Sequence, residues 1–174
     1  MIGIGISAMY NLRKMFVMLS LGFGSGLPYI LLISTTSAWL RDVGVELSLI
    51  GFFAWITFAY TIKFIWAPLV DRFSVPYFAR YGHRKSWIAL MQIIIISALL
   101  LLSNIDPIQS FLFFCIVAGL IALAGSFQDI AIDAFRIEYA HISDQGNLAA
   151  AYQLGYRLAI IAATSLALIF ADSN

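Results

Sequence analysis

The sequence predicts an all-α protein whose helices cross a membrane several times. Of its 174 residues, 62% are hydrophobic and only 11% are Asp, Glu, Lys or Arg, whereas soluble domains usually have about 25% charged residues. Apolar stretches of about 20 residues, long enough for a helix to cross a bilayer, recur along the chain. Because so few charges cannot cover a water-facing surface, we expect the lipid bilayer to be the first partner of this protein.

Charged residues divide the chain into five predicted transmembrane spans. A bundle at residues 15–172 follows a cytoplasmic N-terminus at 1–14 and precedes a short C-terminal end at 173–174. The first span follows basic residues as a signal peptide does, but its uncharged stretch far exceeds the usual ~7–15 residues, and we expect it to stay as a helix. The five predicted spans are 15–40, 47–70, 86–105, 108–135 and 147–171.

Basic residues favour a cytoplasmic N-terminus. With that orientation the outer side receives only Arg41, and the inner side receives most of the remaining Lys and Arg residues, as the positive-inside rule requires. The predicted outer loops are very short, so we expect no extramembrane domain. The inner basic residues are Arg13, Lys14, Arg72, Arg80, Arg84, Lys85 and Arg136.

Little in the sequence favours an enzyme or a nucleic-acid-binding protein. The net charge is +1 and no long basic run is present, so we expect no nucleic-acid partner. His83 and His141 are far apart among polar residues, so we expect loop residues and no metal site. An intramembrane aspartyl protease would place its two aspartates on separate helices, whereas Asp129 and Asp133 share one. We therefore predict no enzyme and no cofactor.

The glycine-rich stretch "GFGSGLP" at residues 22–28 resembles part of a phosphate-binding loop. No strand is predicted before it, so the nucleotide-binding interpretation does not fit its context. Gly22 and Gly26 are four residues apart on one helix face and are expected to allow another helix to approach closely. Pro28 is expected to kink the same helix.

Four charged residues lie inside predicted spans, where each costs about 2.5 to 3.5 kcal/mol at the centre of the bilayer. They are Lys63, Asp129, Asp133 and Arg157. Such residues need partners or water. The two aspartates are one helical turn apart and share a face with Arg136, which predicts an inward-facing polar stripe.

Polar residues of the fifth span are expected to face this stripe. Gln153 and Arg157 form one pair of residues four apart, and Tyr152 and Tyr156 form another on an adjoining face. Together with the aspartates they predict a water-filled cleft for a polar solute. Two alternatives stay open: the charges could form an ion-pair network that only fixes helix positions, and Lys63 could extend to the inner interface instead.

Several motifs resemble a known family of transporters. "APLVDRF" (67–73), followed by "GHRK" (82–85), resembles the loop signature of the major facilitator superfamily. With "KFIWAPLVDR" (63–72), "FQDIAIDAFR" (127–136) and "AAYQLGYRLA" (150–159), the chain resembles the AmpG family of muropeptide permeases.

The resemblance implies a proton-driven importer of anhydromuropeptides, the sugar-peptide fragments of cell-wall recycling that are linked to β-lactamase induction. It would act across a bacterial inner membrane. The aspartates would exchange protons, the basic residues would bind peptide carboxylates, and the tyrosines would contact sugar rings. The predicted substrate and proton pathway consists of Asp129, Asp133, Arg157, Gln153, Lys63, Tyr152, Tyr156 and Tyr29.

The loop signature implies an inner-side motif that holds one face of the transporter shut. Asp71 would accept hydrogen bonds from a neighbouring helix N-terminus. The basic residues at 72, 84 and 85 would pair with acids on the inner side. The predicted motif consists of Asp71, Arg72, Gly82, Arg84, Lys85 and Arg136.

The length of the chain departs from the superfamily pattern. Members have about twelve spans in two halves, whereas five are predicted here, so the chain resembles an incomplete N-terminal half. We expect it not to transport by itself. The missing C-terminal half is an expected partner. Two alternative functions stay open: a carrier related to acetyl-coenzyme A transporters, and a non-transporting membrane scaffold.

Overall fold

A computed structural model describes the backbone of residues 2–75, 80 and 82–172, with side chains for residues 11–75, 80 and 82–166. Residue 1 of the predicted N-terminal segment and residues 173–174, the predicted C-terminal end, lie outside the described residues. No strand occurs within those ranges. The helices are α1 (Ile2–Ile30), α2 (Thr36–Asp42), α3 (Leu47–Phe53), α4 (Phe58–Thr61), α5 (Ala67–Arg72), α6 (His83–Leu102), α7 (Phe111–Tyr139) and α8 (Gln145–Asp172).

The helical membrane class predicted from the sequence is confirmed. Three stretches of the described chain are long and apolar enough to cross a membrane, at Asn11–Asp42, His83–Leu102 and Phe111–Tyr139. A fourth is obtained if the helices from α3 to α5, which bend by 43°, form one span. The fifth predicted span, 147–171, falls on α8, which does not meet this criterion within the described residues. A total of five spans therefore stays a prediction.

A π-helical segment, Leu31–Thr35, joins α1 to α2 just after Pro28. Proline has no N–H and its ring crowds the preceding turn, so regular α-helical bonding is interrupted nearby. The backbone N–H of Thr36 bonds to the carbonyl of Leu31, and its Oγ1 donates to the same oxygen at 2.8 Å. The distortion after this proline is thus a widened turn in which the Leu31 carbonyl accepts both hydrogen bonds from Thr36.

The stretch from α3 to α5 is broken rather than straight, unlike the continuous span that the apolar pattern predicts. Ile62 leaves the helical conformation, with φ −91° and ψ 14°. A short 3-10 turn, Lys63–Ile65, comes next. Pro68, in the first turn of α5, cannot donate a backbone bond to the preceding turn and so favours the start of a new helix. The break leaves Lys63 at a bend beside α7.

Glycines bring α1 and α8 into close contact. A Cβ added at Gly22 or at Gly155 would collide with the backbone of the other helix, at Tyr152 and Leu19 respectively. At Gly26 an added Cβ would lie 2.9 Å from the carbonyl oxygen of Tyr156. The close helix approach predicted from Gly22 and Gly26 is confirmed. Because of this approach, α8 presents its tyrosines directly to α1.

Aromatic stacking joins α6 and α7 to the bent helix. The ring of Phe127 on α7 stacks between Trp66 and Trp87, with both centroids 5.8 Å away and both planes inclined by 21°. Trp87 also donates from Nε1 to the carbonyl of Phe73 at 2.7 Å. These contacts fix α7 between its neighbours, so the polar face of α7 is held in a defined direction.

Candidate functional site

A charged cavity of about 360 Å³ lies where the bent α3–α5 stretch, α7 and α8 meet. Six of the eight residues predicted for the pathway line it. The lining consists of Lys63, Asp129, Asp133, Arg136, Tyr152, Gln153 and Tyr156.

Lys63 lies between the two aspartates of α7. Its Nζ is 4.0 Å from Oδ2 of Asp129 and 3.6 Å from Oδ2 of Asp133. The ammonium group of Lys63 therefore contacts both aspartates of α7, and its side chain is 40% exposed. The physical reason is the helix break at Ile62, because it turns the lysine toward α7, where two carboxylates attract it.

Two hydroxyl groups surround Asp129. Ser25 on α1 donates to Oδ1 of Asp129. The Tyr152 hydroxyl lies 3.2 Å from Oγ of Ser25 and 3.4 Å from the same carboxylate oxygen. Sequence reasoning missed Ser25. Its position within the "GSG" run of α1 was the available signal, since small neighbours let a short side chain reach another helix.

The two aspartates differ in their access to solvent. The side chain of Asp129 is 15% exposed and that of Asp133 is 46% exposed. Nη2 of Arg136 is 3.5 Å from Oδ1 of Asp133. The contacts therefore run in the order Asp129, Lys63, Asp133, Arg136 with alternating sign, and the four charges balance.

Tyrosine rings continue from the cavity into the helix bundle. Tyr29 on α1 contacts Tyr156 with a centroid distance of 6.1 Å, although it does not line the cavity. It also meets Tyr60 edge to face at 5.0 Å. Tyr60 was missed by the sequence analysis, because a tyrosine inside an apolar span is usually a packing residue.

Arg157 does not join the charged cavity. It is exposed and has no ion pair among the described residues. The expected contact of Arg157 with the aspartates is therefore not formed, and Lys63 supplies the positive charge instead. Arg157 follows Tyr156 directly, so it lies about 100° farther around α8.

The loop motif forms a second set of contacts at the same end of the bundle as Arg136. Arg84 donates from Nη1 to Asp71 at 2.6 Å and from Nε to Glu138 at 2.9 Å. Gly82, with a φ of 100°, precedes α6. Since α6 begins at His83, this histidine is a helix residue rather than the expected loop residue. Its Nε2 contacts the carbonyl of Val70 at 2.8 Å.

Two basic residues of the motif behave differently from the prediction. Lys85 lies over the ring of Phe135, with Nζ 5.8 Å from the centroid. Arg72 is exposed, and neither residue forms an ion pair with an acid within the described residues. Arg84 is the residue of the motif that pairs with acids: it contacts Asp71 on α5 and Glu138 on α7.

A separate cavity of about 420 Å³ lies between α1, α6 and α7. Most of its lining is apolar, including Val17, Leu21 and Ile88, with Lys85 and the amides of Gln92 and Gln128. It holds no acid in its described lining. The cavity around Asp129 is therefore the better candidate for binding charged groups and exchanging protons.

Comparison with known proteins identifies similar membrane transporters. Residues 14–118 match the family model described as acetyl-coenzyme A transporter 1. The chain is 36% identical to the anhydromuropeptide permease of Escherichia coli (strain K12) over 156 residues, which is 90% of this chain and 31% of the permease. It is 32% identical to the putative transporter AmpG 4 of Rickettsia conorii over 167 residues, covering 96% of this chain and 40% of that protein.

A third relative gives the same result. The putative transporter AmpG 4 of Rickettsia felis is 34% identical over 170 residues, with 96% of this chain and 40% of the relative covered. The chain thus spans about a third to two fifths of the length of the curated relatives it matches.

Proposed function

Because this chain belongs to the AmpG-like family of membrane transporters, we propose that it supplies the proton- and substrate-binding helices of an anhydromuropeptide importer. It is a multi-pass membrane protein. Its relatives carry the names permease and transporter, which supports transport rather than an enzymatic reaction.

The observation that carries this proposal is the position of Lys63 between Asp129 and Asp133. One ammonium group faces two carboxylates, and Arg136 also contacts Asp133. Protonation of one aspartate removes a negative charge and leaves Lys63 free to attract another anion. A proton and a substrate carboxylate can therefore bind together without leaving an unpaired charge inside the membrane.

The lining also suits the two chemical parts of the substrate. Lys63 and Arg136 can bind the carboxylates of a stem peptide through charge-assisted hydrogen bonds. Tyr152 and Tyr156 offer an apolar ring face with a hydroxyl at its edge, a combination that suits a sugar ring. Gln153 adds an amide that can both donate and accept hydrogen bonds.

We place the N-terminus in the cytoplasm of a bacterium and the helices in its inner membrane. Support comes from the basic residues near the ends of α5, α6 and α7, among them Arg72, Arg84 and Arg136, which suit the positive-inside rule. The charged cavity has its more exposed aspartate, Asp133, toward that end. In this orientation the cavity faces the cytoplasm.

Transport would need more membrane helices than these. The relatives are considerably longer than the matched segment, and alternating access moves one group of helices against another around the binding site. A C-terminal half of the kind found in the superfamily is therefore the proposed partner, with protons as the coupling ion.

The family model favours a second candidate, a carrier of acetyl-coenzyme A. Such a cargo carries several phosphate charges and would need basic residues that are free to bind them. The described lining of the cavity has only two basic residues, Lys63 and Arg136, and both face carboxylates. Protonation of one aspartate frees one positive charge, which suits a peptide carboxylate better than several phosphate groups.

A chimera tests the proposed function. This chain would replace the matching segment of the E. coli permease, and uptake of a labelled anhydromuropeptide would be measured in vesicles with and without an imposed pH gradient. We expect uptake that depends on the gradient and that Asp129→Asn reduces at least tenfold. Acetyl-coenzyme A would be tested in the same assay as the alternative cargo. Uptake that ignores the gradient, or that survives Asp129→Asn, would contradict proton coupling through this site.

A further inference from the structure

Arg157 is an exposed cation on α8, outside the lining of the charged cavity. It falls inside the predicted fifth span and forms no ion pair or hydrogen bond with the described residues. A guanidinium that faces hydrocarbon without a partner is costly. Arg157 therefore needs water or an anion beside it, and the position of the residue on α8 shows where these can be met.

The helical turn places Arg157 at the edge of the charged cavity. Each residue of an α-helix lies about 100° farther around the axis than the one before it, so Arg157 lies about 40° from Gln153 and one turn farther along α8. Gln153 lines the cavity together with Tyr152 and Tyr156. Arg157 lies on the side of Gln153 that is turned away from these tyrosines. Its long side chain can therefore extend to the cavity opening beside Gln153.

Apolar residues border Arg157 on its other side. Leu154, Leu158 and Ile161 are 52%, 41% and 61% exposed. They lie about 40° to 100° beyond Arg157 around α8. Such side chains suit lipid or another apolar helix, whereas a guanidinium suits water and anions. Arg157 thus lies at the boundary between the polar and apolar faces of α8, and the charged cavity is on its polar side.

Arg157 differs from the two cations inside the cavity in having no acid as a neighbour. Lys63 faces both aspartates, and Arg136 contacts Asp133. Those two cations become available to another anion only when an aspartate is protonated. Arg157 faces no acid in the described part of the chain, so its guanidinium can bind a carboxylate through two parallel hydrogen bonds whether or not the aspartates are protonated.

We propose that Arg157 is a second anion-binding group of the transport site, which binds one carboxylate of the cargo at the cavity opening while Lys63 binds another. The inference rests on the proposed function and specifies its substrate class, namely molecules with two separate carboxylates, such as a peptide with an acidic side chain and a free C-terminus. A phosphate can use the same guanidinium. Acetyl-coenzyme A is therefore the alternative cargo that the experiment must separate.

The chimera with the E. coli permease tests the proposal, because it supplies the further helices that transport would need. Uptake would be measured for two labelled cargoes: an anhydromuropeptide with free peptide carboxylates, and the same molecule with those carboxylates converted to amides. We expect Arg157→Gln to raise KM for the acidic cargo by about tenfold or more, the size of a lost charge-assisted hydrogen bond. For the amidated cargo we expect a change of less than about twofold. Arg157→Lys should restore part of the affinity, since it keeps the charge but not the two parallel bonds.

Arg41→Gln is the matched control. Arg41 is also an exposed arginine, in the last turn of α2, and it lines neither described cavity. This exchange should leave KM for both cargoes unchanged. The thermal unfolding temperature of the chimera should be the same with Arg157→Gln as without it, because no contact within the protein is lost.

Four outcomes would contradict the proposal, each in a different way. If Arg157→Gln raises KM for both cargoes alike or lowers the unfolding temperature, Arg157 pairs with another helix and the subsite is wrong. If it leaves KM for the acidic cargo unchanged while Lys63→Met raises it, the subsite is wrong and the proposed function stands. Uptake of acetyl-coenzyme A in preference to the muropeptide, lost in Arg157→Gln, would assign the residue to a phosphate. A folded chimera without muropeptide uptake would overturn the proposed function and the subsite with it.

Discussion

Arg84 donates from Nη1 to Oδ1 of Asp71 at 2.6 Å, which ties the first turn of α6 to the last turn of α5. The same guanidinium donates from Nε to Glu138 near the end of α7. The Arg84 side chain is only 16% exposed, whereas both carboxylates are more than half exposed. One partly buried cation thus joins three helix ends on the side proposed to be cytoplasmic.

Replacement of Arg84 by alanine should release these helix ends. Two charge-assisted hydrogen bonds are lost, but their acids can turn to water, so we expect the free energy of unfolding to fall by about 1 to 2 kcal/mol. Detergent unfolding followed by circular dichroism would measure it. Arg72→Ala is the control, because exposed Arg72 has no ion pair in the described part of the chain. Equal losses in both variants would contradict a specific role for Arg84.

Replacement of Gly155 by alanine should force α1 and α8 apart. The added methyl group would meet the backbone of Leu19 rather than a flexible side chain, and we expect a loss of about 2 kcal/mol or more. The measurement is the thermal unfolding temperature in detergent. Gly119→Ala on α7 provides the control, since nothing lies within 4 Å of its added Cβ. A Gly155→Ala chain as stable as the control would mean that the helices do not approach so closely.

The coupling between Lys63 and Asp129 can be measured directly. Lys63→Met leaves Asp129 without a cation and should destabilise the chain, whereas the double variant Lys63→Met/Asp129→Asn should recover part of the loss. We expect a coupling of about 1 kcal/mol, because the 40% exposure of Lys63 weakens the pair. Arg157→Met should show no such coupling to Asp129. Coupling of Asp129 to Arg157 instead would contradict the geometry of the cavity.

Loss of the Phe127 ring should loosen α7. Phe127→Leu removes both stacking contacts, with Trp66 and Trp87, and we expect it to cost about 2 kcal/mol in the free energy of unfolding. Tryptophan fluorescence during detergent unfolding would report it. Phe113→Leu, on a half-exposed residue of the same helix, should cost much less. Similar costs for both would indicate that the stack contributes little.

Much of the site could be predicted from residue spacing. Asp129 and Asp133 are four apart, so any helix puts them on one face. The same spacing of Gly22 and Gly26 predicts that another helix approaches closely, and the structure identifies that helix as α8. Lys63 was harder to assign, because its direction depends on the break at Ile62. Ser25 and Tyr60 could not be found by spacing, since each meets α7 from a helix that is distant in sequence.

By itself the sequence determined that this chain is a helical membrane protein and that its few charges must find partners, because ionised groups in hydrocarbon are costly wherever they occur. Only the tertiary structure decided which partners they find. Lys63 faces the aspartates and Arg157 does not, because helix breaks and glycine contacts set the rotation of each helix. Those rotations depend on packing between distant segments, and no local pattern encodes them.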